Sequence, residues 1–240
     1  MRPLACLRIL AVLFLGHASA DDEKAAPAAP PSPVASLDIG NTAEGAYPGG
    51  ATPIAGSWYV EKAAKKLKLQ PEPLVIGWLE FGPEIREKGA TISALARAPG
   101  EGRLRSRIGV GLYGKNGFQL RVDQGKKMVE LVRRGIVLKS VNCETDPAKL
   151  YELELNVIED GENWIVKGRV WECETDRPEE PLLTQRAYTD ELLFPLAGRP
   201  CIVATPYSGE PVQYAVARAY LGDPFEKVEA EVAEAESKEE

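Results

Sequence analysis

Histidine is almost missing from this 240-residue chain. The one copy, His17, falls inside an N-terminal stretch that reads as a cleaved secretion signal, so the exported chain is expected to hold none. That removes the commonest general acid/base, the usual activator of Ser and Cys nucleophiles, and the commonest metal ligand. A Ser-His-Asp triad, a Cys-His dyad and a His-ligated zinc are excluded together. Cysteine is scarce too. Cys143, Cys173 and Cys201 follow the signal, widely spaced and with no CxxC, so they carry no zinc or redox signature. An oxidising compartment permits one disulfide among the three, and sequence does not choose the pair. There is no P-loop, and no apolar run approaches the roughly 20 residues of a membrane-spanning helix. Basic charge is also in deficit. The formal net charge is −7, and Asp223 to Glu240 holds eight acids against two lysines. The rest of the chain is nearly neutral, which gives no electrostatic case for nucleic acid.

Four regions follow from composition. Residues 1–20 carry Arg2 and Arg8, the apolar run Ile9 to Leu15 and the small-x-small Ala18-Ser19-Ala20. This predicts an exported precursor cleaved near Ala20, with a periplasmic or extracellular product. Residues 21–36 include AAPAAPPSP, a Pro/Ala spacer biased to extended conformations. Residues 223–240 form an acidic tail with too few apolar groups to bury a face, a frayed helix or a disordered arm. Between them, 37–222 suits one all-β domain.

Alternation of apolar and polar residues marks the strands of that domain. Tyr151, Leu153, Leu155 and Val157 alternate with Glu152, Glu154 and Asn156, then turn at Glu159 to Asn163. The return strand, Trp164 to Cys173, sets Lys167, Arg169 and Trp171 on one face and Trp164, Val166 and Val170 on the other. Pairing of Glu152 and Glu154 with Lys167 and Arg169 would favour this hairpin. Upstream, Ile108, Val110 and Leu112 alternate with Arg105 and Arg107, and a turn at Gly114 to Gly117 leads to Phe118, Leu120 and Val122. Met128 to Val132 and Ile136 to Val141 form a further hairpin. Trp58 to Val60, Leu74 to Leu79, Ala90 to Ala96, Cys201 to Thr205 and Val212 to Tyr220 complete the strands. Glu61 to Leu69 has a helical pattern, and 174–200 reads as loop with one turn near Asp190 to Phe194.

Gly109-Val-Gly111-Leu-Tyr-Gly114 fits the G-x-G-x-x-G string of dinucleotide-binding proteins, whose pyrophosphate sits at a helix N-terminus. A strand follows here, so the glycines read as strand and turn residues. Asp160 and Glu162 could ligate Ca²⁺, but DGEN is ordinary hairpin-turn chemistry. No cofactor and no metal is called for. The candidate ligand-binding surface is Arg105, Arg107, Arg121, Lys167, Arg169 and Trp171. A Trp ring stacks on an apolar sugar face while guanidinium groups donate bidentate hydrogen bonds.

The order SWYVEKAAKKLKLQPEP, ATISALARA, RSRIGVGLYGKNGFQLRVD, MVELVRRGIVLKSV, LYELELNVIEDGENWIVKGRVWE and GRPCIVATPYSGEPVQYAVARAY resembles the concanavalin A-like lectin/glucanase superfamily, especially laminin-G-like bacterial members, over Leu37 to Leu221. The resemblance implies a two-sheet antiparallel jelly roll with an outer face that binds glycans in many relatives. The Glu-x-Asp-x-Glu strand of the related glucan hydrolases is absent. Glu152 and Glu154 lack the central acid, though two carboxylates about 7 Å apart along a strand could serve a glycosidase. The favoured function is an exported non-catalytic β-sandwich that binds glycan or an envelope protein. The alternatives are a histidine-independent polysaccharide lyase or glycoside hydrolase, and a purely structural protein-interaction domain.

Overall fold

Fifteen strands and one short 3-10 turn make up the ordered architecture of the computed structural model, which describes residues 32–224 except 73, 87–88, 101–104, 189–191, 193–195 and 208. The signal segment, most of the Pro/Ala spacer, residues 225–240 and most of the turn expected near Asp190 to Phe194 lie outside the described residues. The strands are β1 (Ala35–Ser36), β2 (Ala51–Ala55), β3 (Trp58–Glu61), β4 (Lys66–Leu69), β5 (Gly77–Phe81), β6 (Gly89–Arg97), β7 (Arg107–Leu112) and β8 (Phe118–Asp123). They continue with β9 (Met128–Arg133), β10 (Ile136–Asn142), β11 (Tyr151–Asp160), β12 (Asn163–Glu172), β13 (Leu183–Tyr188), β14 (Cys201–Thr205) and β15 (Val212–Leu221).

All pairings between these strands are antiparallel. An eight-stranded sheet runs β13-β12-β11-β6-β15-β4-β3, with β1 also on β15, and a seven-stranded sheet runs β10-β9-β8-β7-β14-β5-β2. The inner faces meet in one core. Ile92, Ala94, Leu153, Leu155 and Val166 come from the larger sheet, and Ile108, Val110, Leu120, Leu131 and Ile202 from the smaller. Side-chain alternation puts every second residue of each strand on the outer face. Gly168 shows how closely the layers approach, because a Cβ there would lie 2.6 Å from Leu120 Cδ1 of the opposite sheet.

The long hairpin forms with Glu154 opposite Arg169, but Glu152 faces Trp171 and Lys167 faces Asn156, so the second expected charge pair is not made. The helix expected over Glu61 to Leu69 is a hairpin of β3 and β4 instead. Its turn passes through Lys65 at φ 50°, and alternation buries Leu67 and Leu69 in the core while Lys66 and Lys68 point out. The strand expected from Leu74 starts at Gly77, because Leu74 sits at φ 61° in a turn and is 90% exposed. Leu183 to Tyr188, expected as loop, is β13; Leu183 and Ala187 alternate into the core. The sandwich also begins inside the expected spacer, since Ala35 and Ser36 pair with Ala219 and Arg218. Gly109 and Gly111 lie within β7 and Gly114 in the 3-10 turn before β8, so no phosphate-binding helix follows the glycine string.

One polar contact crosses the core. Tyr214 of β15 is fully buried, and its hydroxyl lies 2.8 Å from Val203 O, 3.0 Å from Gly109 O and 3.1 Å from Gly109 N of the opposite sheet. Burial pushes its ionisation far above the ordinary tyrosine range. Tyr214→Phe leaves buried backbone groups of β7 and β14 without this partner. It is expected to cost about 1–3 kcal/mol in urea unfolding with an unchanged m-value, and a loss under about 0.5 kcal/mol would refute the contact's importance.

Candidate functional site

The six basic and aromatic residues singled out from sequence do not form one surface. Arg107 and Arg121 point outward from the seven-stranded sheet, and Arg105 precedes β7. Lys167, Arg169 and Trp171 point outward from the eight-stranded sheet, on the far side of the core. Sequence alternation assigns a face of a strand, whereas sheet membership is decided by long-range pairing.

On the eight-stranded sheet, Arg169 is not available to a ligand. It is 5% exposed and gives Nη1 to Glu154 Oε1 at 2.8 Å, Nε to Pro178 O at 3.1 Å and Nη2 to Glu179 O at 2.8 Å. Arg177 holds the same carboxylate from its other side, Nε to Oε2 at 2.8 Å and Nη2 to Oε1 at 2.9 Å. Glu154, 1% exposed, is therefore a structural anion that pins residues 177–179 to the sheet. Arg169→Ala is expected to destabilise the fold by about 3–5 kcal/mol in denaturant unfolding, the cost of breaking a buried pair; an effect below about 1 kcal/mol would mean the pair is not buried in solution.

Glu152 occupies the next row, between Trp171 and Leu95. Burial raises its carboxyl above the ordinary range, against a hydrogen bond from Ser93 and the charge of Arg218, and Glu154 adds to the rise. A carboxyl whose folded value is raised binds more protons folded than unfolded, so its contribution favours the fold at low pH and is lost as pH climbs through the folded value. Glu152→Gln is thus expected to raise the urea midpoint at pH 7, the gain disappearing toward pH 4. An equal gain at both pH values would refute this titration. With both oxygens of Glu154 taken by Arg169 and Arg177, the two carboxylates do not form a pair of free groups in this structure.

All three cysteines are free thiols, so the disulfide allowed by the sequence is not formed. Cys201 is buried on β14, Cys143 follows β10 and is partly exposed, and Cys173 follows β12 and is exposed. Burial raises the thiols of Cys143 and Cys201 above the ordinary range, which makes them poor nucleophiles. Asp160 points to Arg186, 3.4 Å away. No cluster of three or more His, Cys, Asp or Glu with metal-holding geometry occurs among the described residues.

The outer face of the seven-stranded sheet carries a different kind of polarity. Its registers line side chains into rows across the strands. One row is Trp78, Val203, Gly109, Arg121 and Glu130, and the next is Thr205, Arg107, Asp123 and Met128. Adjacent strands lie about 4.8 Å apart and residues two along a strand about 7 Å apart, so these rows are neighbours. Asp123 and Glu130 are buried and neutralised: Arg107 Nε meets Asp123 Oδ2 at 2.7 Å, Arg121 Nη2 meets Glu130 Oε2 at 3.1 Å, and Lys126 Nζ meets Glu130 Oε1 at 3.0 Å. Tyr207 stacks on Arg107, its ring centroid 5.4 Å from Cζ. Gly109 keeps the middle of the row low, because a Cβ there would lie 2.6 Å from Leu120 O.

Three polar atoms of this patch are buried and unpartnered: Trp78 Nε1, Thr205 Oγ1 and Arg121 Nε. Thr205 is only 4% exposed. Buried polar groups nearly always have a partner, so exceptions that neighbour one another call for an explanation. Sequence reasoning missed Trp78 and Thr205. The signal for Trp78 was its phase, opposite to Leu79 and Phe81 and shared with Glu80.

No protein-family model matches the sequence, and no curated protein matches it either. Solved structures do match. A β-1,3-glucanase from Mycobacterium marinum superposes with TM-score 0.56 at 10% identity, covering 79% of this chain and 99% of that one. Lectin UEA-II in complex with galactose gives 0.52 at 9% identity, over 79% and 100%. The Emp47p carbohydrate recognition domain gives 0.52 at 13%, over 78% and 95%. The chain has the concanavalin A-like jelly-roll fold. At these identities the likeness extends to the fold and not to the site, so the jelly roll's ligand chemistry must be argued from its own side chains.

Proposed function

We propose that this chain is an exported, non-catalytic jelly roll that binds glycan in the cell envelope through the outer face of its seven-stranded sheet. The observation that carries the reading is the neighbouring pair of unpartnered groups, the Trp78 indole N–H and the Thr205 hydroxyl. Sugar hydroxyls both donate and accept, and the indole ring beside them offers an apolar surface for a pyranose face. Arg107, Tyr207 and Arg121 flank the two. Support from outside the chain is that the same fold serves a galactose-bound lectin and a carbohydrate recognition domain. Export rests on the N-terminal pattern of Arg2, Arg8 and Ile9 to Leu15.

The non-catalytic part rests on Asp123 and Glu130, since the other acid in phase with Trp78, Glu80, is a single carboxyl and makes no catalytic pair by itself. A glycosidase needs one carboxyl to donate a proton and another free to attack or to activate water. Asp123 and Glu130 are each held by basic side chains, which occupy their oxygens.

Thr205→Val tests the site sharply, because it removes a hydroxyl that makes no hydrogen bond in the free protein. The folding midpoint should stay equal or rise, while affinity for a glycan identified on an array should fall about fivefold in calorimetry, the worth of one hydrogen bond. Trp78→Ala should cost more than about tenfold through lost stacking. Unchanged affinity in both variants would remove the face from consideration. Release of reducing ends from a polysaccharide panel by the purified wild type would overturn the non-catalytic reading.

A further inference from the structure

A cavity lies at one end of the eight-stranded sheet and shares no residue with the Trp78 face. Its volume is about 260 Å³, and its lining includes Arg97, Lys149, Leu150, Glu172, Cys173 and Glu174. Arg97 closes β6, Glu172 closes β12, and Lys149 and Leu150 lead into β11. The charges of this lining are unevenly matched. Lys149 Nζ binds both oxygens of Glu172, at 2.9 and 2.8 Å, so that pair is internally satisfied. Arg97 is half-buried, makes no ion pair among the described residues, and has Nε enclosed without any hydrogen-bond partner. Glu174 is exposed and forms no ion pair with it.

Lys66 lies close enough to feel the same charge. Burial first, and Arg97 second, hold its ammonium below the ordinary lysine range, with only Cys173 acting in the other direction. No carboxylate contributes there. Lys66 lies outside the cavity lining, so within the lining Arg97 is the cation that makes no ion pair among the described residues, while Lys149 is matched by Glu172.

We propose that this cavity binds a compact oxyanion, a carboxylate or a phosphate group, on the Arg97 guanidinium. The planar fork of Arg97 suits the two oxygens of such a group, and the unpartnered Nε is one of the two donors of a bidentate pair. The volume falls below the usual range for drug-sized ligands, which limits the occupant to a small ion or a single acid-bearing ring. Cys173, exposed on the lining, supplies a built-in reporter.

The test follows alkylation of Cys173 in the full chain by iodoacetamide, read by peptide mass spectrometry. Inorganic phosphate, glucuronate and glucose are added at matched ionic strength. Phosphate or glucuronate should slow labelling with half-protection near about 1 mM, as two charge-assisted bonds would give, and glucose should not. Protection by glucuronate alone identifies a carboxylate occupant, and protection by phosphate alone a phosphate one. Arg97→Gln should shift half-protection upward at least about tenfold, with Arg97→Lys between it and wild type. Equal protection by all three additives, none by either anion, or an unaltered response in Arg97→Gln would overturn the proposal. Should Arg97→Gln fail to fold, the contrast of anions with glucose on the wild type still decides. Because Thr205→Val and Trp78→Ala lie on the other sheet, loss of glycan binding there leaves this result untouched.

Discussion

The Tyr214 hydroxyl joins the two sheets across their largely apolar core. Apolar contact is non-directional and permits one sheet to slide or rotate on the other at little cost, whereas a buried hydrogen bond to a fixed backbone does not. The position of this contact matters. Gly109 and Val203, whose backbone Tyr214 engages from the core side, are the residues between Trp78 and Arg121 on the outer side. The inward anchor and the outward site therefore share the same backbone. Trp58 packs on the Tyr214 ring at 6.0 Å between centroids, which fixes the phenol's approach. A binding surface on a sheet so tied is held rigid without a disulfide, consistent with three thiols that stay free.

The two outer faces differ in how their polar groups are used. On the eight-stranded sheet Glu154 is fully consumed by Arg169 and Arg177, and Thr91 takes a hydrogen bond from Asn156 at 2.7 Å and gives one to Gly222 O at 2.6 Å. Unpartnered atoms exist there too, at Asn156 Oδ1 and Arg97 Nε. They are dispersed. Asn156 pairs with Thr91, six residues along β6 from Arg97, which is roughly 20 Å of strand. On the seven-stranded sheet Trp78 and Thr205 are diagonal neighbours across β5 and β14. A scattered defect is a cost of packing, while adjacent ones can be met by a single ligand.

Local pattern was legible in the sequence and global pairing was not. The hairpin of β11 and β12 formed with Glu154 opposite Arg169 because a tight turn fixes register between adjacent strands. The allocation of Arg107 and Lys167 to different sheets depends on β7 pairing with β14 and β11 with β6, contacts distant in sequence with no short-range trace. Glu61 to Leu69 misled because four lysines among Ala and Leu satisfy a helical period as well as a two-residue one, and burial of Leu67 and Leu69 in the core settled it. Thr205 could not have been singled out at all. Its interest lies in a missing partner, and a missing partner is a property of the neighbours.

Charge separates the two proposed sites in what they can accept. On the Trp78 face the guanidiniums of Arg107 and Arg121 are already matched by Asp123 and Glu130, so an acidic ligand would gain little there and would meet two buried carboxylates. The groups left without a partner are a neutral indole N–H and a neutral hydroxyl, with one guanidinium nitrogen on the same face. That composition favours uncharged hydroxyls, whose desolvation is cheap compared with that of a carboxylate. At the Arg97 cavity the balance is reversed, for Glu172 is held by Lys149 and the Arg97 guanidinium makes no ion pair among the described residues. A saccharide with both neutral and acidic parts would find its two chemistries answered on opposite faces of one sandwich, too far apart for a single sugar ring, so occupation of both sites requires either an extended chain or two separate ligands.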